Sequence, residues 1–215
     1  MGKMTEDNLV YLLDEKIYIN LTNKCTNACI FCIRSLKDDV CGKNLWLKDE
    51  NISAKDVIEQ LKPFLKDRKK VAKEVIFCGY GEPTLKLEIL KEVAKFIKDN
   101  YKDVNIRLNT NGHANFVYKK DITLELVGLI DEVSVSLNAS DEELYKELTQ
   151  PNLICEAPLA EVEDFIKKSV EAGIPTVASV VTGYKDFKID IEKCEKITTA
   201  LGAKFRVREW LDNGY

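Results

Sequence analysis

Residues 16–32 read KIYINLTNKCTNACIFC, a strand-like run that leads directly into three cysteines. The first six of these residues are rich in β-branched and aromatic side chains, which predicts a β-strand over 16–21. Thr22, Asn23 and Thr26 favour turns over helix interiors, so we expect the cysteines to lie on a loop at the end of that strand. Spacings of four and three residues also describe one face of a helix, so plain core packing is an alternative.

Cys25, Cys29 and Cys32 form a Cys-x3-Cys-x2-Cys pattern, which supplies three thiolates to one inorganic centre. Three thiolates on a four-iron cubane leave one iron without a protein ligand, as an external chelating ligand requires. A structural zinc site is the second hypothesis, but zinc in such sites takes four ligands. The nearest fourth candidates are Cys41 and His113, the one histidine of the chain. We therefore predict a redox-active [4Fe–4S] cluster held by the three cysteines.

Strand-like and helix-like segments alternate along the rest of the chain. Further strands are predicted at 75–78, 104–108, 132–137, 176–181 and 204–207, and helices from Ser53, over 85–97 and 122–129, from Ser140, and over 162–172 and 189–201. Pro63 is expected to kink or end the first helix. Six strands, each followed by a helix, predict a parallel sheet, and six units are too few for a closed eight-stranded barrel. We expect one α/β domain over 1–215, an open partial (β/α)6 barrel with a curved parallel sheet.

Polar side chains follow nearly every predicted strand. In parallel α/β sheets, ligands bind at the carboxyl ends of the strands. Those ends carry residues 22–32, 79–82, 109–111 and 136–138, together with Thr182, Arg206 and Arg208. Their convergence on one edge predicts one site.

The cysteine pattern, with Phe31 just before its last cysteine, resembles that of the radical S-adenosylmethionine (SAM) superfamily. Residues 79–83, GYGEP, look like the GGEP segment of that superfamily, with Tyr80 in place of the usual glycine. Residues 109–112, NTNG, resemble the third-strand segment of short activase-like members. More narrowly, the small TatD-associated radical SAM proteins are similar to this chain over residues 17–23, 77–84 and 136–139.

The resemblance implies two cofactors and a mechanism. The open iron of the cluster would chelate SAM, and the reduced cluster would cleave it to methionine and a 5′-deoxyadenosyl radical that abstracts hydrogen from substrate. The resemblance assigns the cluster to Cys25, Cys29 and Cys32. It assigns SAM contacts to Phe31, Gly79, Tyr80, Gly81, Glu82, Asn109, Asn111, Ser136, Asn138 and Arg208. The implied partners are a small or nucleotide-like substrate, a low-potential electron donor (flavodoxin or ferredoxin) and, by a functional link, a TatD-type nuclease.

Three rival functions are open at this point. Within the superfamily, a glycyl-radical-enzyme activase and a 7-carboxy-7-deazaguanine-type deazapurine synthase are alternatives of similar size. An iron–sulfur sensor or binding module is an alternative of another class, because it would hold the cluster without cleaving SAM. The polar strand ends beyond the cysteine loop favour the enzyme, since a sensor needs no groove for SAM.

The charge and hydropathy of the chain exclude several broad classes. A formal net charge of −4 gives no electrostatic footprint for nucleic acid, so no general nucleic-acid binding is expected. No apolar run reaches the ~18–20 residues of a membrane-spanning helix, and the first residues lack the apolar core of a signal peptide. Seven cysteines without an export signal indicate a reducing compartment, so we expect a cytoplasmic protein.

His113, Cys41 and Tyr80 are candidate catalytic residues, since all three lie near the predicted site in sequence. The ordinary alternatives are a surface histidine, a free structural cysteine and a packing tyrosine. Cys155, in an irregular segment, carries the same two alternatives as Cys41: a substrate-facing thiol or a free structural cysteine.

Cys78 and Cys194 are predicted to be small core residues, one in a buried strand and one on the apolar face of a helix. The loop over 35–51 is a candidate lid above the site. An ordinary packed loop, anchored by Trp46, is the alternative.

Overall fold

Seven strands form the main sheet of the computed structural model, which describes residues 7–40, 42–66, 73–151 and 158–210. In chain order the strands are β1 (Val10–Leu13), β2 (Lys16–Ile19), β3 (Asp39–Val40), β4 (Lys43–Asn44), β5 (Glu74–Phe77), β6 (Asn105–Thr110), β7 (Glu132–Ser136), β8 (Thr176–Thr182) and β9 (Lys204–Glu209). The order across the main sheet is β1-β2-β5-β6-β7-β8-β9, and β3 and β4 form a separate hairpin. From β2 to β9 all neighbours are parallel, which confirms the α/β prediction.

The described sheet is open, with β1 and β9 at its edges. The prediction of six strands missed β1, which pairs antiparallel with β2 through a two-residue turn. Asp14 and Glu15 form that turn with positive φ angles of 48° and 62°. A two-residue hairpin turn of this kind usually contains Asn-Gly or Asp-Gly. The hairpin signal was therefore absent from the sequence.

Along the chain, helices separate the parallel strands, because a parallel pair needs a crossover connection. They are α1 (Ala54–Lys66), α2 (Leu87–Asn100), α3 (Ala114–Tyr118), α4 (Thr123–Leu126), α5 (Glu142–Thr149), α6 (Leu159–Glu171) and α7 (Ile191–Ala200). The sequence did not predict α3. The predicted cap at Ser140 was wrong by one residue, because the Asp141 carboxylate accepts the hydrogen bond from the amide of Leu144. Helix α1 continues through Pro63 to Lys66.

The two faces of the sheet differ in chemistry because side chains alternate along each strand. On β6, Ile106 and Leu108 are buried in the main core with the helices, and Arg107 and Asn109 point to the opposite face. The same alternation sends several polar side chains to that opposite face, which we call the site face. Besides Arg107 and Asn109, they are Ser134, Ser136, Ser179, Arg206 and Arg208.

A ladder of ion pairs crosses the lower part of the site face. Lys16 lies 2.9 Å from Glu74, and Glu74 lies 3.5 Å from Arg107. Glu132 continues the ladder at 3.8 Å from Arg107 and 3.8 Å from Arg206. These charges neutralise one another near the amino ends of the strands, which leaves the carboxyl ends for a ligand.

Candidate functional site

The three cysteines lie on the loop that leaves β2 as partly exposed thiols, none of them in a disulfide. The amide of Cys32 donates to the carbonyl of Cys29 at 3.0 Å, and the amide of Asn27 donates to the Cys25 sulfur at 3.4 Å. Burial raises the pKa of Cys25 to about 11. Burial also raises the pKa of Cys29, and Cys32 and Cys25 raise it further by charge repulsion. The three sulfurs therefore share one small volume, and a cationic centre there would favour their thiolate forms.

Arg34 holds this loop in shape from within. Its guanidinium donates to the carbonyls of Asn23 at 3.1 Å, Tyr80 at 3.3 Å and Asn27 at 3.1 Å. The same charge favours the thiolate of Cys25. Sequence reasoning missed Arg34, although an arginine two residues after the last cysteine was a signal to consider.

The segment Gly79–Glu82 packs against the loop through its glycines. A Cβ on Gly81 would stand 2.3 Å from the carbonyl oxygen of Thr22 and 2.4 Å from that of Lys24. A Cβ on Gly79 would stand 2.0 Å from the side-chain oxygen of Asn20. Gly81 is thus required by the close approach of two backbone segments, and Gly79 by the Asn20 side chain packed against it, both independent of any ligand.

Glu82 is a buried carboxylate that joins three strand ends. Its Oε1 accepts from the Thr84 amide at 3.1 Å, from the Thr84 hydroxyl at 2.7 Å and from the Thr110 hydroxyl at 2.7 Å. Its Oε2 accepts from the amide of Asn111 at 2.8 Å, and the Glu82 amide itself donates to the carbonyl of Lys24. Burial raises the pKa of this carboxyl group, and the four donors oppose that rise. Glu82 therefore fixes the turn after β6 against the cysteine loop.

A buried polar chain runs behind the cysteine loop. The side-chain amide of Asn111 donates to the Thr26 hydroxyl at 2.7 Å. His113 Nδ1 lies 2.9 Å from the same hydroxyl, and His113 Nε2 lies 2.6 Å from the hydroxyl of Tyr145. The interpretation of His113 as a surface residue is wrong, because it is fully buried. Burial lowers its pKa to about 4, so the imidazole is neutral near pH 7.

The upper part of the site face carries polar atoms that lack partners. Asn109 Oδ1, Asn138 Oδ1 and Arg208 Nε are buried and have no hydrogen-bond partner among the described residues. Asn138 is 1% exposed and has a positive φ of 65°. Ser136, the last residue of β7 and two positions before Asn138, is partly exposed. Because buried polar groups normally find a partner, these atoms mark a place where a polar ligand fits.

An aromatic group closes one side of this region. The ring of Phe31 meets Tyr184 edge to face at 6.2 Å, and Tyr184 meets Trp210 at 5.0 Å. Sequence reasoning placed Phe31 near the site but gave no role to Tyr184. Its position in the loop after β8 carried no local signal.

The loop over 35–51 is an ordinary packed loop in this structure. Leu47 is buried, and its backbone exchanges two hydrogen bonds with the side chain of Asn23, at 2.8 and 2.9 Å. Tyr80 is also buried there. Its hydroxyl donates to the carbonyl of Lys37 at 2.6 Å, and its ring lies 5.2 Å from that of Trp46. Burial raises the pKa of Tyr80 to about 12.

A sequence profile described as "Radical SAM superfamily" matches residues 19–196, from β2 to α7. The chain belongs to the radical SAM superfamily. This superfamily uses a [4Fe–4S] cluster and SAM, and the matched range includes the cysteine loop and the whole site face up to β8.

Curated relatives of this superfamily are similar over part of their length. A "Probable GTP 3′,8-cyclase" of Sulfurisphaera tokodaii is 30% identical over 162 residues, covering 74% of this chain and 44% of the relative. A "FeMo cofactor biosynthesis protein NifB" of Methanocaldococcus jannaschii is 29% identical over 136 residues, covering 63% of this chain and 43% of the relative. The chain thus spans less than half the length of either relative.

Solved structures share the fold. SuiB of Streptococcus suis, crystallised with S-adenosylmethionine, superposes with a TM-score of 0.65 at 18% identity, covering 91% of this chain and 40% of that one. At this identity the likeness concerns the architecture of the radical SAM core.

The residues present fit both cofactors of the superfamily. Three neighbouring cysteine thiols, with the pKa values of Cys25 and Cys29 raised by burial, and a nearby guanidinium form a donor set for an iron–sulfur cluster. The unpartnered atoms of Asn109, Asn138 and Arg208 suit the polar groups of SAM. Within the described ranges, no three Cys, His, Asp or Glu side chains form a site for a single metal ion. A cubane spreads its ligands over separate iron atoms, so that finding concerns single-ion sites only.

The remaining cysteines differ in position. Cys194 is buried on α7, which confirms its interpretation as a core residue. Cys78 is partly exposed at the end of β5 and has Asn109 as a hydrogen-bond partner, so its interpretation as a core residue was wrong. Cys41 and Cys155 lie outside the described residues, and their candidate roles stay predictions. No described helix is long and apolar enough to cross a membrane.

Proposed function

We propose that this chain is a radical SAM enzyme that cleaves SAM reductively and uses the resulting radical on a small or nucleotide-like substrate. One observation carries the proposal: three cysteine thiols outside disulfides converge at one end of a parallel sheet whose site face presents unpartnered buried polar atoms. A sensor would need the thiols alone. In the superfamily, the cluster supplies one electron to SAM, which breaks into methionine and a 5′-deoxyadenosyl radical.

The side chains of the site fall into two groups: those that are hydrogen-bonded within the protein, and those with a buried polar atom that has no protein partner. Cys25, Cys29 and Cys32 would hold the cluster, and Arg34 keeps their loop in the required shape. The buried polar atoms that lack protein partners would contact SAM, together with the Ser136 hydroxyl and the ring of Phe31. These atoms are Asn109 Oδ1, Asn138 Oδ1 and Arg208 Nε.

The segment Gly79–Glu82 offers SAM its backbone rather than its side chains. The Glu82 carboxylate already accepts four hydrogen bonds, and the Tyr80 hydroxyl donates to the carbonyl of Lys37. Burial of the segment under the loop over 35–51 keeps water away from this side of the site, which protects a radical from side reactions.

A nucleotide-like substrate is the more specific part of the proposal. Support comes from the GTP 3′,8-cyclase relative, whose match covers 74% of this chain. Acceleration of SAM cleavage by one nucleotide in a panel of nucleotides and nucleosides would support this substrate class. A panel without effect would leave the SAM-cleavage proposal standing and remove the nucleotide.

The cellular setting is proposed from the chemistry. A cluster of this kind requires a low-potential donor such as flavodoxin or ferredoxin, and free cysteines suit the reducing cytoplasm. The segments 17–23, 77–84 and 136–139 support placement with the TatD-associated subgroup. Co-purification of a TatD-type nuclease with the tagged chain tests that link.

The experiment that tests the main proposal starts from anaerobically purified and reconstituted protein. Reduction with dithionite in the presence of SAM should yield 5′-deoxyadenosine from the unchanged chain. The Cys29→Ala variant should yield none, and Cys194→Ala, which removes a buried cysteine on α7, should keep the activity. An intact cluster with uncleaved SAM would instead favour the sensor, and zinc without iron would refute the cluster.

A further inference from the structure

Asn111 lies outside the cysteine loop, and its side chain donates a hydrogen bond to the cysteine proposed as the first cluster ligand. Its Nδ2 lies 3.7 Å from the sulfur of Cys25, within hydrogen-bonding range of a sulfur acceptor, and 2.7 Å from the hydroxyl of Thr26. Asn111 is 8% exposed, so water competes little for these bonds.

The orientation of this amide is fixed by its neighbours. Asn111 Oδ1 accepts a hydrogen bond from the backbone amide of His113 at 3.1 Å. That bond requires an oxygen, so the nitrogen must face Thr26 and Cys25. The backbone amide of Asn111 donates to Glu82, which prevents the residue from turning away.

The chain beyond Thr26 holds the other end in place. His113 Nδ1 lies 2.9 Å from the Thr26 hydroxyl, and His113 Nε2 lies 2.6 Å from the hydroxyl of Tyr145; both residues are fully buried. With Thr26 fixed from behind, one N–H of the amide goes to Thr26 and the second points at Cys25. Geometry thus aims a permanent N–H donor at one of the three sulfurs.

We propose that Asn111 is a positioning residue that tunes the cluster through Cys25 and does not bind SAM. This inference rests on the proposed role of Cys25 as a cluster ligand. A hydrogen bond to a ligand sulfur stabilises the more negative, reduced state of an iron–sulfur cluster, so it raises the reduction potential. The effect makes the cluster easier to reduce by one electron from its low-potential donor.

The test compares reduction potentials of the reconstituted cluster, titrated by electron paramagnetic resonance without SAM. Asn111→Ala should shift the reduction equilibrium about tenfold toward the oxidised cluster, ~59 mV for one electron. Asn111→Asp keeps the size and the acceptor for the His113 amide, and its negative charge should enlarge the shift. Thr26→Val breaks the chain but spares the donor to Cys25, so its potential should match that of the unchanged protein.

SAM affinity, measured on the same samples, separates this role from direct SAM binding. Asn111→Ala should bind SAM as the unchanged protein does. Weaker SAM binding at an unchanged potential would overturn the proposal and make Asn111 a SAM contact. An equal shift in Thr26→Val would also overturn it, because the effect would then come from the loop as a whole.

Two further controls keep the result interpretable. Iron content and thermal stability show whether Asn111→Ala still folds around its cluster, and the isosteric Asn111→Asp serves if it does not. The potential is measured without SAM, so failure of SAM cleavage leaves this inference unaffected. Conversely, the unchanged protein could cleave SAM while the Asn111→Ala cluster keeps the reduction potential of the unchanged protein. That pair of results would refute the inference about Asn111 and leave the proposed function standing.

Discussion

Two regions at the carboxyl end of the sheet differ in whether their buried polar groups have hydrogen-bond partners within the protein. The first, which we call the loop anchor, consists of Thr26, Arg34, Glu82, Asn111 and His113. Its members are hydrogen-bonded to one another or to the cysteine loop. The upper site face instead holds three buried polar atoms without partners in the described structure.

The difference separates groups that shape the site from groups that meet a ligand. A buried polar group whose partners are all within the protein contributes to stability, and its removal leaves other groups unsatisfied. A group that waits for a ligand has no such partners to lose. Changes in the loop anchor should therefore lower stability and cluster retention, whereas changes on the upper site face should lower ligand affinity alone.

The largest effect is expected from Gly81→Ala. The new methyl group would stand 2.3 and 2.4 Å from two backbone oxygens of the cysteine loop, and backbone cannot move aside cheaply. We expect a loss of about 3 kcal/mol in the free energy of unfolding or more, with loss of iron. Gly128→Ala is the control: a Cβ on Gly128 meets nothing within 4 Å, so only its positive φ of 76° opposes the change, which should cost about 1 kcal/mol. If urea unfolding gave the two variants the same loss of stability, the contact of Gly81 with the backbone of the cysteine loop would not explain the effect.

The buried His113 should make stability depend on pH. Its pKa is about 4 in the folded state and 6.5 in the unfolded chain, so unfolding takes up a proton between these values. The contribution of the neutral His113 to the free energy of unfolding is about 3 kcal/mol. It is fully present above pH 6.5, falls as the pH drops and is lost by about pH 4. His113→Gln keeps a donor and an acceptor but cannot titrate. The free energy of unfolding of both proteins is measured from pH 4 to 7. If it changed with pH equally in both, His113 would not be the cause.

A smaller effect is expected at Arg34. Replacement by alanine removes three hydrogen bonds to loop carbonyls and should cost about 2 kcal/mol, together with part of the bound iron. Arg34→Lys keeps the charge but cannot reach three carbonyls with one planar group. We expect lysine to restore little of the stability in urea unfolding. Full restoration would mean that charge alone holds the loop.

The sequence predicted the parallel sheet because short strand-like runs alternate with helical patterns along the chain. It missed β1 because the Asp14-Glu15 turn lacks glycine and asparagine, and it missed β3 and β4 because two-residue strands carry no periodicity. All three elements belong to hairpins whose partner strands are only a few residues away, so what the sequence lacked was the turn signal and the strand length.

The candidate site was predictable where it follows strand ends and not where it depends on side-chain partners. The position of Glu82 at the end of β5 could be inferred, but its four donors from Thr84, Thr110 and Asn111 could not. His113 was misplaced on the surface because its partners, Thr26 and Tyr145, are 87 and 32 residues away in sequence. Spacing within a motif does not encode such contacts.

The smallest change in stability is expected at Arg208, where the comparison is sharpest. Arg206 and Arg208 lie on the same strand and the same face, but Arg206 pairs with Glu132, whereas the Nε of Arg208 has no partner in the described structure. Arg208→Gln should change the free energy of unfolding by no more than about 0.5 kcal/mol. It should weaken SAM binding about tenfold, roughly 1.4 kcal/mol, because a charged donor to the ligand is lost.

Arg206→Gln is the matched control for that change. It removes a half-exposed ion pair worth at most about 1 kcal/mol and leaves the upper site face intact, so SAM affinity in equilibrium binding should stay unchanged. If both variants weakened SAM binding equally, the summed positive charge of β9 would be responsible. An arginine paired with Glu132 would then contribute to ligand binding as much as one whose Nε lacks a partner in the described structure. The distinction between paired and unpaired groups would therefore fail at this strand.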